Sequence, residues 1–145
     1  MVKPLKALQE LLRSLEPKLH DGVFVFAFIP TADLETAPSA GVEATSLDSL
    51  APIATFQEEE GLSLILSEDR AKAAGLDYSF RAAWISLTVY SDLDAVGLTA
   101  AVATALAQEG ISCNMVAALH HDHLFVPHQK AQETMQILQR LQQKT

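Results

Sequence analysis

A chain of 145 residues with 49% hydrophobic content can bury a real core, as one body or as two small packed domains. Its 10 basic residues against 18 acidic ones give a formal charge of −8 and form no Lys/Arg stripe, so nucleic acid is not an expected partner. One cysteine (Cys113) excludes an internal disulfide framework, no apolar run reaches membrane-spanning length and no signal-peptide pattern opens the chain, which together predict a cytoplasmic location.

The first predicted element is a helix from Pro4 to Leu15, with Leu5, Leu8, Leu12 and Leu15 on one face and Pro17 as its stop. Asp21-Gly22 then introduces Val23–Ile29, apolar on both faces, the pattern of a strand covered on both sides. From Pro30 to Pro52 no period is clear, although Leu47–Leu50 is long enough for one helical turn. Ile53–Gln57 and Leu62–Leu66 read as strands joined at Glu58-Glu59-Glu60-Gly61. Ser67 is a good N-cap for a short helix ending at Gly75.

The second half is more regular. A strand over Trp84–Tyr90 precedes a turn, Ser91–Gly97, and a small-residue helix from Leu98 to about Glu109. Val96, Ala100, Ala103 and Ala107, with Leu106 beside them, are expected to face the sheet. A strand over Ile111–Val116, a polar turn at His120–His123, a closing strand Leu124–Val126 and a helix over Pro127–Gln143 follow. Strand, helix, strand, strand, helix make most of a ferredoxin-like unit. Gly97 opens space at a helix N-terminus, where small anionic ligands are commonly held.

Several residue groups carry chemistry. His121 and His123 project to one side of an extended chain and His120 and Asp122 to the other. Two imidazoles and a carboxylate suffice for an open Zn²⁺ or Fe²⁺ site, and so His121, Asp122 and His123 are a candidate metal set for a hydrolase. The competing reading is a polar hairpin turn in which Asp122 orients a histidine. His20 and His128 stand apart and are expected to be exposed. Glu58-Glu59-Glu60 reads as a solvated turn, Cys113 as a small packed residue, and Trp84 and Met115 as core.

The segment Ser91-Asp-Leu-Asp-Ala-Val-Gly-Leu-Thr-Ala-Ala-Val-Ala-Thr-Ala-Leu-Ala-Gln-Glu-Gly-Ile-Ser-Cys-Asn-Met-Val116 resembles an ACT domain, with Asp and Gly at the first turn and Asn on the second strand. The wider chain is similar to small stand-alone proteins with two ACT-like units, through Glu59–Leu66, Ala95–Ala100 and His121–Pro127. The resemblance implies an amino acid held between the first-turn loop of one unit and the second strand of its neighbour. Carried over, the ligand-binding residues are Ser91, Asp92, Leu93, Asp94, Val96, Gly97 and Leu98 of the loop and Asn114, Met115 and Val116 of the strand. Backbone amides at Gly97 and Leu98 suit a carboxylate, Asn114 offers a donor and an acceptor, and Asp92 or Asp94 suits an ammonium. The alternative is that Gly97 only permits a tight turn and that Asp94 or Ser91 caps the helix.

The expected fold is α+β: ferredoxin-like ACT units in tandem, with antiparallel sheets and helices on one face. Residues 1–80 form a degenerate N-terminal unit, and residues 81–145 a C-terminal unit lacking its own last strand. The expected function is a non-catalytic amino-acid-binding regulator, a homodimer without cofactor, with a partner enzyme as a further expected partner. A ligand-free protein–protein adaptor and the metal-dependent hydrolase are the alternatives.

Overall fold

Alternation and helical spacing recur twice along this chain, and each recurrence builds a small antiparallel sheet under helices. The computed structural model describes residues 3–35 and 47–144. The described elements begin with α1 (Leu8–Arg13), β1 (Pro17–Leu19), β2 (Phe24–Pro30), α2 (Thr31–Glu35) and α3 (Leu47–Leu50). There follow β3 (Ala54–Gln57), β4 (Gly61–Ser67), α4 (Glu68–Ala73) and β5 (Arg81–Leu87). The last are α5 (Leu98–Gln108), β6 (Asn114–Ala117), β7 (Asp122–Pro127), a 3-10 turn at His128–Lys130 and α6 (Ala131–Gln143). Expectations about Pro38 and the remainder of 36–46 lie outside the described residues.

Two compact units result, one of residues 22–81 and one of residues 1–21 with 82–145. The residues before 22, placed in the first unit by the sequence reading, thus cluster with the C-terminal residues. In the 22–81 unit the strand order is β3-β4-β2, all antiparallel, with Ser63 paired to Phe28 on one side and Phe56 on the other. Val25, Ala27, Leu62, Leu64 and Leu66 bury one sheet face against Leu50 of α3 and Ala71 of α4. The opposite face of β2 is less covered than its uniform apolarity suggests, and Phe28 remains 40% exposed. Ser67 caps α4 as expected, accepting the Arg70 N–H at 3.4 Å.

The other unit has the strand order β1-β5-β7-β6, again antiparallel. Among the described residues no strand follows α6, and β1 supplies the fourth strand, pairing Pro17–Leu19 with Leu87–Ile85. The unit is therefore a complete ferredoxin-like βαββαβ sheet, permuted so that its last strand comes first in sequence. Leu11, Leu12 and Leu15 of the first segment join Ile85, Leu87, Val102, Leu106, Leu124 and Leu138 in one core.

Three local expectations change. The first helix is shorter, because Leu5 is extended: its N–H donates to the Tyr90 carbonyl (2.8 Å) and its carbonyl accepts from Asp92 N–H (2.9 Å). Tertiary backbone pairing there outweighs a local helical preference worth only tenths of a kcal/mol per residue, roughly. The strand expected over Trp84–Tyr90 runs instead over Arg81–Leu87. Finally, α5 buries Leu98, Val102 and Leu106, with Ala101 and Ala105 packed beside them, while Ala100 and Ala107 face solvent and Val96 is 82% exposed. Larger side chains decide which face is buried, since apolar area removed from water grows with side-chain size.

Candidate functional site

The turn from β5 to α5 is shaped by backbone contacts before any side chain matters. Asp92 N–H is held by Leu5, and the Asp92 carbonyl accepts Ala95 N–H at 2.8 Å. Asp92 Oδ1 accepts Asp94 N–H at 2.9 Å, an Asx turn that closes the loop on itself. Lys6 Nζ lies 3.5 Å from Asp92 Oδ2. The Asp94 amide, followed by Lys6, holds the Asp92 carboxyl below its ordinary value.

Gly97 is the N-cap of α5 with φ of 106°, a conformation that strains any residue with a Cβ. A Cβ there would stand 3.2 Å from Leu8 Cδ2 of α1. As a glycine it makes no side-chain cap, so the first amides of α5 meet no capping oxygen from it. The helix is eleven residues long, with a partly positive N-terminus.

A pocket of about 130 Å³ lies at this N-terminus. Its floor is the loop and first helical turn: Ser91, Asp92, Leu93, Gly97, Leu98 and Thr99. Ala95 adds a methyl group; Ala117 at the end of β6 and Asp122 at the start of β7 close it. Asp122 pairs with Ala117 on one side and Leu87 on the other, which sets its side chain level with the turn leaving β5. Ser91 Oγ–H donates to Asp122 Oδ2 at 3.1 Å. Asp122 is 8% exposed.

Of the residues singled out in sequence, Ser91, Asp92, Leu93, Gly97 and Leu98 converge on this pocket. Asp94 and Val96 are exposed and do not line it. Asn114 and Val116, opposite Phe125 and His123, lie on the other sheet face; Met115 packs against the core. Ala95, Thr99, Ala117 and Asp122 line the pocket and were not among the expected ligand residues. For Asp122 the signal is the hairpin register, which sequence alone does not display.

The candidate metal set does not converge. Asp122 turns into the pocket, and His123 faces the opposite side of β7, as strand alternation requires. There Trp84 Nε1–H donates to His123 Nδ1 at 3.1 Å. An indole N–H only donates, so Nδ1 is the acceptor and a neutral His123 carries its proton on Nε2. Ser86 Oγ lies 2.8 Å from the same Nδ1 and 2.7 Å from His20 Nε2. His20, expected to stand apart and exposed, is half-buried and stacks on Trp84, ring centroids 3.5 Å apart. Burial lowers the affinity of both imidazoles for a proton, with His121 as a further repulsion on His123 and Lys18 on His20. His121 faces the Val89 carbonyl, 3.5 Å away. Among the described residues no three His, Cys, Asp or Glu side chains are grouped to hold a metal ion. Cys113 packs against the core, and burial pushes its thiol up to about 11, far from a reactive thiolate. Among the described residues no helix is long and apolar enough to cross a membrane.

Comparison with known proteins sets this geometry in a family. ACT-domain models match residues 3–83 and residues 79–140. No curated protein matches the chain. A crystal structure of a Vibrio cholerae protein of unknown function, VC0802, described as a possible transport protein, is 44% identical, with a TM-score of 0.76, over 93% of this chain and 95% of that one. Protein Atu0741 of Agrobacterium tumefaciens is 18% identical, with a TM-score of 0.62, over 87% of each chain. The ligand-free regulatory subunit of aspartate kinase from Thermus thermophilus is 12% identical, with a TM-score of 0.56, over 86% of this chain and 95% of that one. The last two likenesses speak for the fold alone. With models covering both halves and a permuted but complete ferredoxin-like sheet, the chain belongs to the ACT domain family.

Proposed function

We propose that this protein is a non-catalytic regulator that binds a small molecule, an amino acid in the first instance, in the pocket at the N-terminus of α5. The observation that carries this reading is the pocket itself. It combines an uncapped helix N-terminus with a buried carboxylate and small apolar walls in one cavity. Opposite charges at two ends of a small cavity suit a zwitterion. The fold shared with an aspartate kinase regulatory subunit is consistent with a regulatory output through a partner enzyme. The reading includes a cytoplasmic location, two ACT units divided near residue 80, and a homodimer. The outer edge of β6 has no strand partner among the described residues, and exposed edges are commonly paired or protected. A second copy there would bring its own Asn114–Val116 strand near the site. Light scattering at high concentration should return a dimer, and a monomer alone would remove that part.

Thermal stability should be measured across the twenty amino acids. A ligand that binds only the folded state at a hundredfold excess over Kd adds about 2.7 kcal/mol. The shift should disappear in Ala117→Leu, which fills the pocket from an exposed strand position. No shift with any amino acid would reject the reading in favour of a ligand-free adaptor.

A further inference from the structure

Three carboxylates surround the loop before α5, and their charges are not equally matched. Asp94 is exposed and does not line the pocket. Asp92 lines it, but one oxygen is held by the Asp94 amide and the other by Lys6. Asp122 is the most buried of the three. It receives one neutral hydrogen bond, from Ser91, and among the described residues no cationic side chain forms an ion pair with it. A carboxylate taken out of water is costly unless a counter-charge meets it. Here the remaining open side of that carboxylate is the pocket.

We propose that Asp122 receives the ammonium group of the ligand, and that the site thereby selects small α-amino acids over the matching carboxylic acids. The proposal rests on the ligand-binding reading above and adds the group that distinguishes an amino acid from any other small anion. The first amides of α5 take the ligand carboxylate at one pole, and Asp122 takes the amine at the other. Between them stand Leu93, Ala95 and Ala117, which leave no charged partner for a side chain. The cavity of about 130 Å³ is small, which favours a short ligand side chain. Ser91 holds the carboxylate through one oxygen and is a positioning residue for it.

The test is calorimetric titration of the wild-type protein and Asp122→Asn with two matched pairs, L-alanine against propionate and L-valine against 3-methylbutanoate. Asparagine keeps the shape and can still accept from Ser91. The wild type should prefer at least one amino acid over its partner acid by tenfold or more. Asp122→Asn should lose that preference by weakening the amino acid about tenfold and leaving the acid unchanged. Equal affinity of the wild type for both members of each pair overturns the proposal even if the variant fails to fold. Unchanged amino-acid affinity in a folded variant also overturns it, and leaves the ligand-binding reading standing. Binding of none of the twenty amino acids by the wild type sinks both.

Discussion

The two units enter their first helix in different ways. After β5, ten residues intervene before α5, and they close a loop on Asp92, lift Gly97 into a left-handed conformation and leave a pocket. After β2 the helix begins at once: Pro30 is the last strand residue and Thr31 the first of α2, with Thr31 N–H donating to the Glu60 carbonyl at 3.0 Å. Each turn has a glycine against it, and the two act in opposite senses. Gly97 sits in the turn and keeps it open. Gly61 sits on the neighbouring strand and presses in, its α-carbon so near that a Cβ would meet the Ile29 carbonyl oxygen and Pro30 Cα. One fold thus offers two first turns: the longer one lines a cavity at a helix N-terminus, and at the shorter one Gly61 lies in close backbone contact with the end of β2.

Substitution separates those roles. Gly61→Ala should have the largest effect, about 3 kcal/mol, because a methyl group would be driven into backbone that cannot rotate away. Gly97→Ala should cost less, about 1–2 kcal/mol. Its penalty is backbone strain, and the nearest atoms belong to the flexible Leu8 side chain. Both figures are to be read from denaturant midpoints; a larger effect at Gly97 than at Gly61 would invert the comparison.

The smallest effect is in the response to acid. Glu68, at the start of α4, has its carboxyl lowered chiefly by Arg81, whose Nε–H donates at 2.7 Å, while Asp92 is lowered chiefly by the Asp94 amide. A carboxyl held below its unfolded value contributes stability that is present above that value and lost as pH falls through the folded one. Denaturant midpoints should therefore fall as pH drops through and below the ordinary carboxylate range. Glu68→Gln should flatten the share of the 22–81 unit and Asp92→Asn that of the other. Salt should weaken the Arg81 contribution and leave the Asp94 amide contribution unchanged. Equal salt sensitivity in the two variants would contradict these causes.

Much of the second half was legible in advance because its signals are local. Ser91–Gly97 reads as a turn and Leu98 as a helix start from glycine and small-residue patterning alone, and both stand where expected. The phase of α5 differs from the expected one, because five alanines and three larger apolar residues in eleven positions give no sharp stripe. In fact Leu98, Val102 and Leu106 choose the buried face. The fourth strand was illegible for another reason. Pro17–Leu19 is three residues long, and its partner Leu87–Ile85 lies almost seventy residues away. Likewise His20 and Trp84 are stacked by that same strand pairing, which no local pattern announces.

The amino-acid sequence by itself determined the α+β class, the ACT resemblance and the order of strands and helices from β5 to α6. Period, capping and turn chemistry act over a few residues and are written in order along the chain. Only the tertiary structure decided which end of the chain completes the C-terminal sheet, which face of α5 is buried, and that Asp122 turns away from the histidines into the pocket. Those outcomes depend on strand register and on burial shared between distant segments. A shift of one residue in β7 would exchange its two faces, moving Asp122 out of the pocket and His123 in.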